Sequence, residues 1–390
     1  MEENPSKKYK LLVLTPKLQT MSGHFFSYCT TLQKAAKIND WEYAAAIPKN
    51  CQLNDLPFSW HKILSIDTFD SVPGPRIIKR LYNKFCYQKS LYKFLSEHIA
   101  SNQKTLIFTE YFSRHQLRAL IYCLILLPTK NVSVCLLYRD HHTIYRKPSD
   151  ALFFKKCHHI IAFLLRNNNF HLLTDCELLQ QPLEIFFEKD FSLFPIIEPC
   201  SMVNKTPSQP INKIVCWWAG RPGKEKGLNI IKETIDQCEN DQIPIHFITS
   251  KSSGIDASLH FNFIDLSLLP EVLSSDEYLK QLFYSDIILT PYCQKHYKWK
   301  TSGIFIEAIA AKKPILVTEG TWMAHELKKF DLQELITTWE PNDVIKKIAF
   351  IQSNQDTKKK IQVMQQAFLE KYSVNSFAAV LQSLVTDVTR

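Results

Sequence analysis

The segment Thr301–Pro314 (TSGIFIEAIAAKKP) carries a single carboxylate, Glu307, in a run that is otherwise apolar or glycine from Gly303 to Ala311. A helix that is apolar all round is normally buried, and a carboxylate is rarely buried without a partner. An ionised carboxylate accepts two hydrogen bonds side by side, which suits the adjacent hydroxyls of a ribose. Glu307 lies one turn beyond Gly303, on nearly the same face as Ser302 and Gly303. The first-turn amides there form an anion site, and Gly303 permits close approach by a ligand. The alternative is a surface-facing glutamate on a mostly buried helix.

Other groups have chemistry to offer. Ala219–Gly227 (AGRPGKEKG) follows the apolar run KIVCWWA and precedes LNIIKETI. A glycine-rich strand-to-helix loop with cations suits phosphate. Amides at the helix start point at the anion, Arg221 can grip it bidentately, and Lys226 adds a point charge. A solvated basic turn is the other reading. A second loop, Thr15–His24 (TPKLQTMSGH), places Gly23 where a strand passes into a helix; it reads equally as an ordinary turn. Asp140, His141 and His142 follow the run VSVCLLY and Arg139. Residues of these types at a strand exit can carry protons or hold a sugar hydroxyl, or simply end the strand in water. Arg76–Lys93 has six basic residues, no acidic one, and apolar residues at helical spacing. It fits an anionic membrane surface or a core-packed helix with a solvated basic face.

These residues need elements to hold them. Lys10–Thr15, Tyr43–Ile47, Thr105–Thr109, Val132–Tyr138 and His159–Ala162 read as strands, with helices at Arg76–Ile99 and Arg114–Leu126. The pattern restarts with strands at Lys213–Ala219, Pro244–Thr249, Phe261–Asp265, Ile287–Thr290 and Pro314–Val317. Helices at Gly227–Cys238, Ser274–Tyr284, Ser302–Ala311 and Met323–Lys329 lie between or after them. Continuous apolar strands alternating with helices predict α/β domains with parallel sheets covered on both faces. A polar, proline-bearing stretch within 199–212 reads as a linker. The expected division is 1–198, linker 199–212, and 213–390, with the last helix packing back on the first domain. Ligands in such folds sit at the C-terminal strand ends, which is where the loops above fall.

Composition bounds the rest. The chain has 390 residues, 45% hydrophobic, with a net charge of +9. The charge favours anionic partners, but no nucleic-acid module is present. Eleven scattered cysteines without a CxxC pair read as reduced, in a cytoplasmic protein. No apolar run approaches the ~20 residues of a membrane span, and the first residues are no signal peptide. The chain lacks Asp-x-Asp, GxSxG, GxGxxG and P-loop elements. No metal site and no cofactor are expected.

Together the motifs resemble the GT-B glycosyltransferases, closest to family 4, which uses nucleotide-sugar donors. Gly220–Gly227 resembles the family's G-R-x4-K-G element. Ser285–Tyr292, Ser302–Ala308, Lys313–Val317 and Gly320–Trp322 resemble its donor-site block, and Leu173–Glu177 its segment before the domain crossover. The resemblance implies a GT-B fold, two Rossmann-like domains with parallel sheets facing a central cleft. It implies a donor diphosphate on Arg221, Lys226 and the helix start at Ser302, Gly303 and Ile304, whose amides face it, and a ribose on Glu307. Gly23 matches the family's first loop. Eight residues before Glu307, where the family often has another glutamate, this chain has Trp299; Tyr297 or Lys300 would then contact the sugar. The implied activity is retaining, metal-independent sugar transfer to a glycan or lipid-linked acceptor in surface polysaccharide or glycolipid synthesis. A sugar-nucleotide epimerase and a degenerate nucleotide-binding scaffold are the alternatives.

Overall fold

The computed structural model describes residues 9–20, 24–65, 76–110, 112–139, 148–166, 169–196, 213–220, 222–256 and 261–386, with backbone alone at 76–80, 148–150 and 386. Two compact units divide the chain: Met1–Glu198 with Ser373–Arg390, and Pro199–Tyr372. The stretch read as a linker, 199–212, lies outside the described residues.

The first unit holds a seven-stranded parallel sheet in the order β3-β2-β1-β4-β5-β6-β7. Its strands are Tyr9–Leu14 (β1), Glu42–Pro48 (β2), Trp60–Leu64 (β3), Lys104–Thr109 (β4), Val132–Tyr138 (β5), Phe170–Thr174 (β6) and Ser192–Leu193 (β7). Every residue of β5 is buried, as a strand covered on both faces requires. Helices α2 (Arg76–His98), α3 (Arg114–Leu126) and α4 (Pro148–Leu164) pack side by side, α2 on α3 and α3 on α4. Helix α1 (His24–Ile38) packs with the closing helix α13 (Val374–Thr386). Phe377 of α13 is fully buried; its ring lies 6.0 Å from that of Tyr28 and 5.2 Å from that of Phe194. The chain thus leaves the second unit and completes the core of the first.

The second unit holds a six-stranded parallel sheet, β10-β9-β8-β11-β12-β13. The strands are Ile214–Trp218 (β8), Ile245–Ser250 (β9), Asp265–Leu269 (β10), Ile287–Thr290 (β11), Ile315–Thr318 (β12) and Ile336–Thr337 (β13). Helices are α6 (Leu228–Asn240), α7 (Ser275–Tyr284), the single turn α8 (Gln294–Tyr297), α9 (Gly303–Ala310), α10 (Trp322–Lys328), α11 (Pro341–Ser353) and α12 (Gln355–Lys371). The first unit also contains α5 (Glu177–Phe187). In each sheet the order reverses beside the first strand, between β1 and β4 and between β8 and β11. Ligands in open parallel sheets bind at such a switch point, outside the C-terminal strand ends.

Two strand assignments change. His159–Ala162 is helical, within α4. Cys157, His158, Ile161, Ala162 and Leu165 are buried there, a spacing of one helix face; a four-residue apolar run does not by itself distinguish helix from strand. The strand read at Phe261–Asp265 begins at Asp265 and runs to Leu269. β3, β6 and the two-residue strands β7 and β13 are not among the predicted strands. His158 is a core histidine: its Nε2 lies 2.7 Å from the Tyr138 hydroxyl, and burial holds its pKa down at about 3.

Candidate functional site

The loops after β8 and β11 and the start of α9 meet at the switch point of the second sheet. After β8, Gly220 takes φ +87°, a left-handed conformation that favours glycine. A Cβ there would lie 2.8 Å from Ile304 Cδ1 and 3.4 Å from Lys226 Nζ. The phosphate-type loop therefore runs against the first turn of α9, with the Lys226 ammonium in the same place. Lys224–Lys226 forms one 3-10 turn, closed by Gly227 at φ +82°. A Cβ on Gly227 would sit 2.3 Å from the Pro291 carbonyl oxygen, so this glycine is required by close packing on the loop after β11. The Cys293 amide donates to the Glu225 carbonyl at 2.8 Å and ties the two loops together.

Ser302 caps α9, its hydroxyl accepting from the Phe305 amide at 3.4 Å. Tyr292 and Ser302 are both buried there. The cap fixes the start of the helix at which Ser302, Gly303 and Ile304 are expected to meet the donor. Helix geometry leaves the amides of Gly303 and Ile304 without intrahelical partners. A Cβ on Gly303 would meet no atom within 4 Å, so the space before this turn is open.

Glu307, one turn further on, accepts a hydrogen bond from the Tyr278 hydroxyl of α7 at 2.5 Å. The Tyr278 ring packs on Trp217 of β8, 5.2 Å between centroids. Glu307 keeps a little surface, yet its carboxyl is enclosed by protein. Burial pushes it up from 4.5 to about 7, and the Tyr278 bond offsets only part of that. An enclosed carboxylate with one neutral donor has acceptor capacity left. Two hydroxyls of a bound diol would fill it and favour the charged form.

Tyr297 is buried, its ring 4.4 Å from that of Tyr292, and burial raises its phenol to about 12. The Lys300 ammonium lies 5.5 Å from the Tyr297 ring. Tyr297 forms the wall of this loop and Lys300 is the more accessible of the two. Lys298 covers the Trp299 ring at 4.8 Å. Arg221, Gly23, Asp140, His141 and His142 lie outside the described residues.

In the first unit the ends of β4, β5 and β6 carry a buried ionic cluster. Arg139 Nε donates to Asp175 Oδ2 at 2.7 Å, and Arg139 Nη1 lies 3.7 Å from Glu110 Oε2. The guanidinium is 4.9 Å from the Tyr28 ring centroid, and the Tyr28 hydroxyl reaches Asp175 at 3.5 Å. Burial lifts Glu110 to about 8; the nearby Arg139 charge lowers it and the Asp175 charge raises it. The cluster fixes the strand exit immediately before Asp140. Sequence reasoning missed Tyr278 and Glu110. Glu110 carried a usable signal, a lone acid directly after TLIFT. Tyr278 carried none, since it meets Glu307 across 29 residues.

No family model matches the chain, and no curated protein matches it in sequence. Solved structures match it over nearly its whole length. A glycosyltransferase from Rickettsia africae superposes with a TM-score of 0.66 at 14% identity, covering 98% of this chain and 99% of that one. Sucrose-phosphate synthase from Thermosynechococcus elongatus gives 0.65 at 12%, covering 97% and 98%. A trehalose-6-phosphate structure from E. coli bound with UDP-2-fluoro glucose gives 0.61 at 10%, covering 96% and 98%. With its two parallel sheets, the chain has the GT-B glycosyltransferase fold.

Proposed function

We propose that the protein is a glycosyltransferase that moves a sugar from a nucleoside-diphosphate donor to a glycan or lipid-linked acceptor. The observation that carries this reading is the convergence, at one switch point, of the Gly220–Gly227 loop with Lys226, the first-turn amides of Gly303 and Ile304, and the enclosed carboxyl of Glu307. The similar structure bound with UDP-2-fluoro glucose supports it. Lys226, with Arg221, and the helix amides hold the diphosphate, and Glu307 accepts from both ribose hydroxyls. As the glycosidic bond breaks, negative charge grows on the leaving diphosphate. Fixed cations and amides aimed there stabilise the transition state more than the ground state. Because protein cations supply this charge and no Asp-x-Asp pair occurs, the transfer is metal-independent. Configuration at the transferred carbon is retained, and Lys300 contacts the sugar.

The acceptor belongs to the first unit, near Gly23 and Asp140–His142, beyond the strand exit fixed by Arg139. The reaction belongs to polysaccharide or glycolipid synthesis, in the cytoplasm at a membrane. All ten described cysteines are free, consistent with a reducing compartment, and no helix among the described residues is long and apolar enough to cross a membrane. The membrane contact includes Arg76–Lys93 in α2, where Leu81 and Phe85 are exposed beside Lys84 and Lys89. The test is release of nucleoside diphosphate from a panel of nucleotide sugars, with and without candidate acceptors. Lys226→Ala and Glu307→Ala should each lower the rate at least tenfold, by roughly 1.4 kcal/mol or more. Unchanged rates would show the site to be wrong. Conversion of donor alone would indicate an epimerase, and binding without turnover a scaffold.

A further inference from the structure

The helical layer of α2, α3 and α4 turns an apolar surface outward. The guanidinium groups of Arg114 and Arg118 lie 4.6 and 4.7 Å from the Phe153 ring centroid, which fixes the register of α3 against α4. Seven residues are nearly two helix turns. Ile125, seven beyond Arg118, and Ile160, seven beyond Phe153, therefore lie on the seam-facing sides of their helices, further along the same seam. Both are exposed, Ile125 at 59%. Tyr122 and Leu126 flank them on α3, and Phe163 projects from α4 with 82% of its surface exposed. Five large apolar side chains thus form one outward patch, and such a patch marks an interaction surface.

Its surroundings are cationic. Lys130 and Arg166, just past the ends of α3 and α4, are exposed, as is Lys156 on the outward line of α4. Among residues with described side chains, α3 and α4 carry no acidic residue. Two acids in this region are paired: Glu97 faces Lys93 at 3.9 Å, and Glu188 pairs with Lys155 at 2.6 Å. A second copy of the chain would bring like charges together, which disfavours self-association. An anionic bilayer offers complementary charge, and it accepts protruding aromatic and aliphatic side chains without needing a shaped pocket.

We propose that the α3–α4 seam docks the protein on an anionic lipid surface. Phe163, Ile125 and Ile160 enter the headgroup boundary while Lys130, Lys156 and Arg166 engage lipid phosphates. The seam extends the contact attributed to α2 but rests on different residues. It does not depend on the sugar-transfer reading.

The experiment is co-sedimentation of the full chain with vesicles of phosphatidylcholine alone and of phosphatidylcholine with phosphatidylglycerol. Binding is expected to the anionic vesicles only, and to weaken with salt. The exposed pair Lys130→Glu and Lys156→Glu should lower it at least about tenfold, since basic residues near an anionic surface contribute directly to binding. Phe163→Glu with Ile125→Glu should lower it similarly. Circular dichroism checks folding, and if the apolar pair fails to fold the charge pair decides. Nucleoside-diphosphate binding, measured in parallel, should be unchanged in the charge pair, so failure here is separable from failure of the donor site. No binding to anionic vesicles, or equal binding by the folded charge pair, overturns the proposal. So does capture of an acidic polypeptide by the seam in the absence of vesicle binding.

Discussion

Replacing Glu307 by glutamine should stabilise the protein and weaken donor binding together. Burial raises the carboxyl from 4.5 to about 7 in the fold. Between those values the folded chain holds a proton that the unfolded chain has released, so folding stability falls as pH rises. The fall is complete above about pH 7. At 1.36 kcal/mol per pKa unit, the shift corresponds to about 3 kcal/mol at alkaline pH. Glu307→Gln keeps an acceptor for Tyr278 and removes the buried charge. Its advantage over the wild type should grow from under about 1 kcal/mol near pH 5 to about 3 kcal/mol near pH 8. Urea unfolding followed by tryptophan fluorescence reads this, with Trp217 and Trp218 in the same unit. The glutamine offers one acceptor where the carboxylate offers two, so nucleotide affinity should drop in the same variant. An advantage that does not change with pH, or a variant less stable at pH 8, would refute the reasoning.

Three further outcomes are expected. Gly227→Ala forces a Cβ into the Pro291 carbonyl at positive φ; it should cost roughly 2–4 kcal/mol in urea unfolding and also weaken nucleotide binding. Phe377→Ala removes a buried ring from the core shared by α1 and α13 and should cost about 3–5 kcal/mol, read by thermal unfolding of the first unit. Arg139→Met leaves Glu110 and Asp175 without their cation. It should cost about 3–5 kcal/mol in chemical denaturation, and adding Glu110→Gln should recover part of the loss.

Alternation of apolar strands with helices made the two parallel sheets legible, because strands buried on both faces read as unbroken apolar runs. Where the run was short, as at His159–Ala162, period alone could not decide, and the buried face of α4 gives the answer. β3 was hidden because WHKIL is half polar and buried only at Trp60 and Leu64. The site was legible where function and local pattern coincide. Gly220 and Gly227 punctuate a strand-to-helix loop, and Glu307 interrupts an apolar helix. Tyr278 was not legible, because its position on α7 reads as an ordinary amphipathic helix and its partner is defined only by packing. The cluster of Glu110, Arg139 and Asp175 shows the same limit: three strand ends supply one ionisable group each, and only the sheet order brings them together.

The most direct measurement is calorimetric titration of UDP-, GDP- and ADP-sugars into the wild type, Lys226→Ala and Glu307→Ala. One nucleotide should bind the wild type, and each variant should weaken that binding at least about tenfold, or 1.4 kcal/mol. A nucleotide sugar bound equally by all three proteins would contradict the placement of the donor on Lys226, the α9 amides and Glu307.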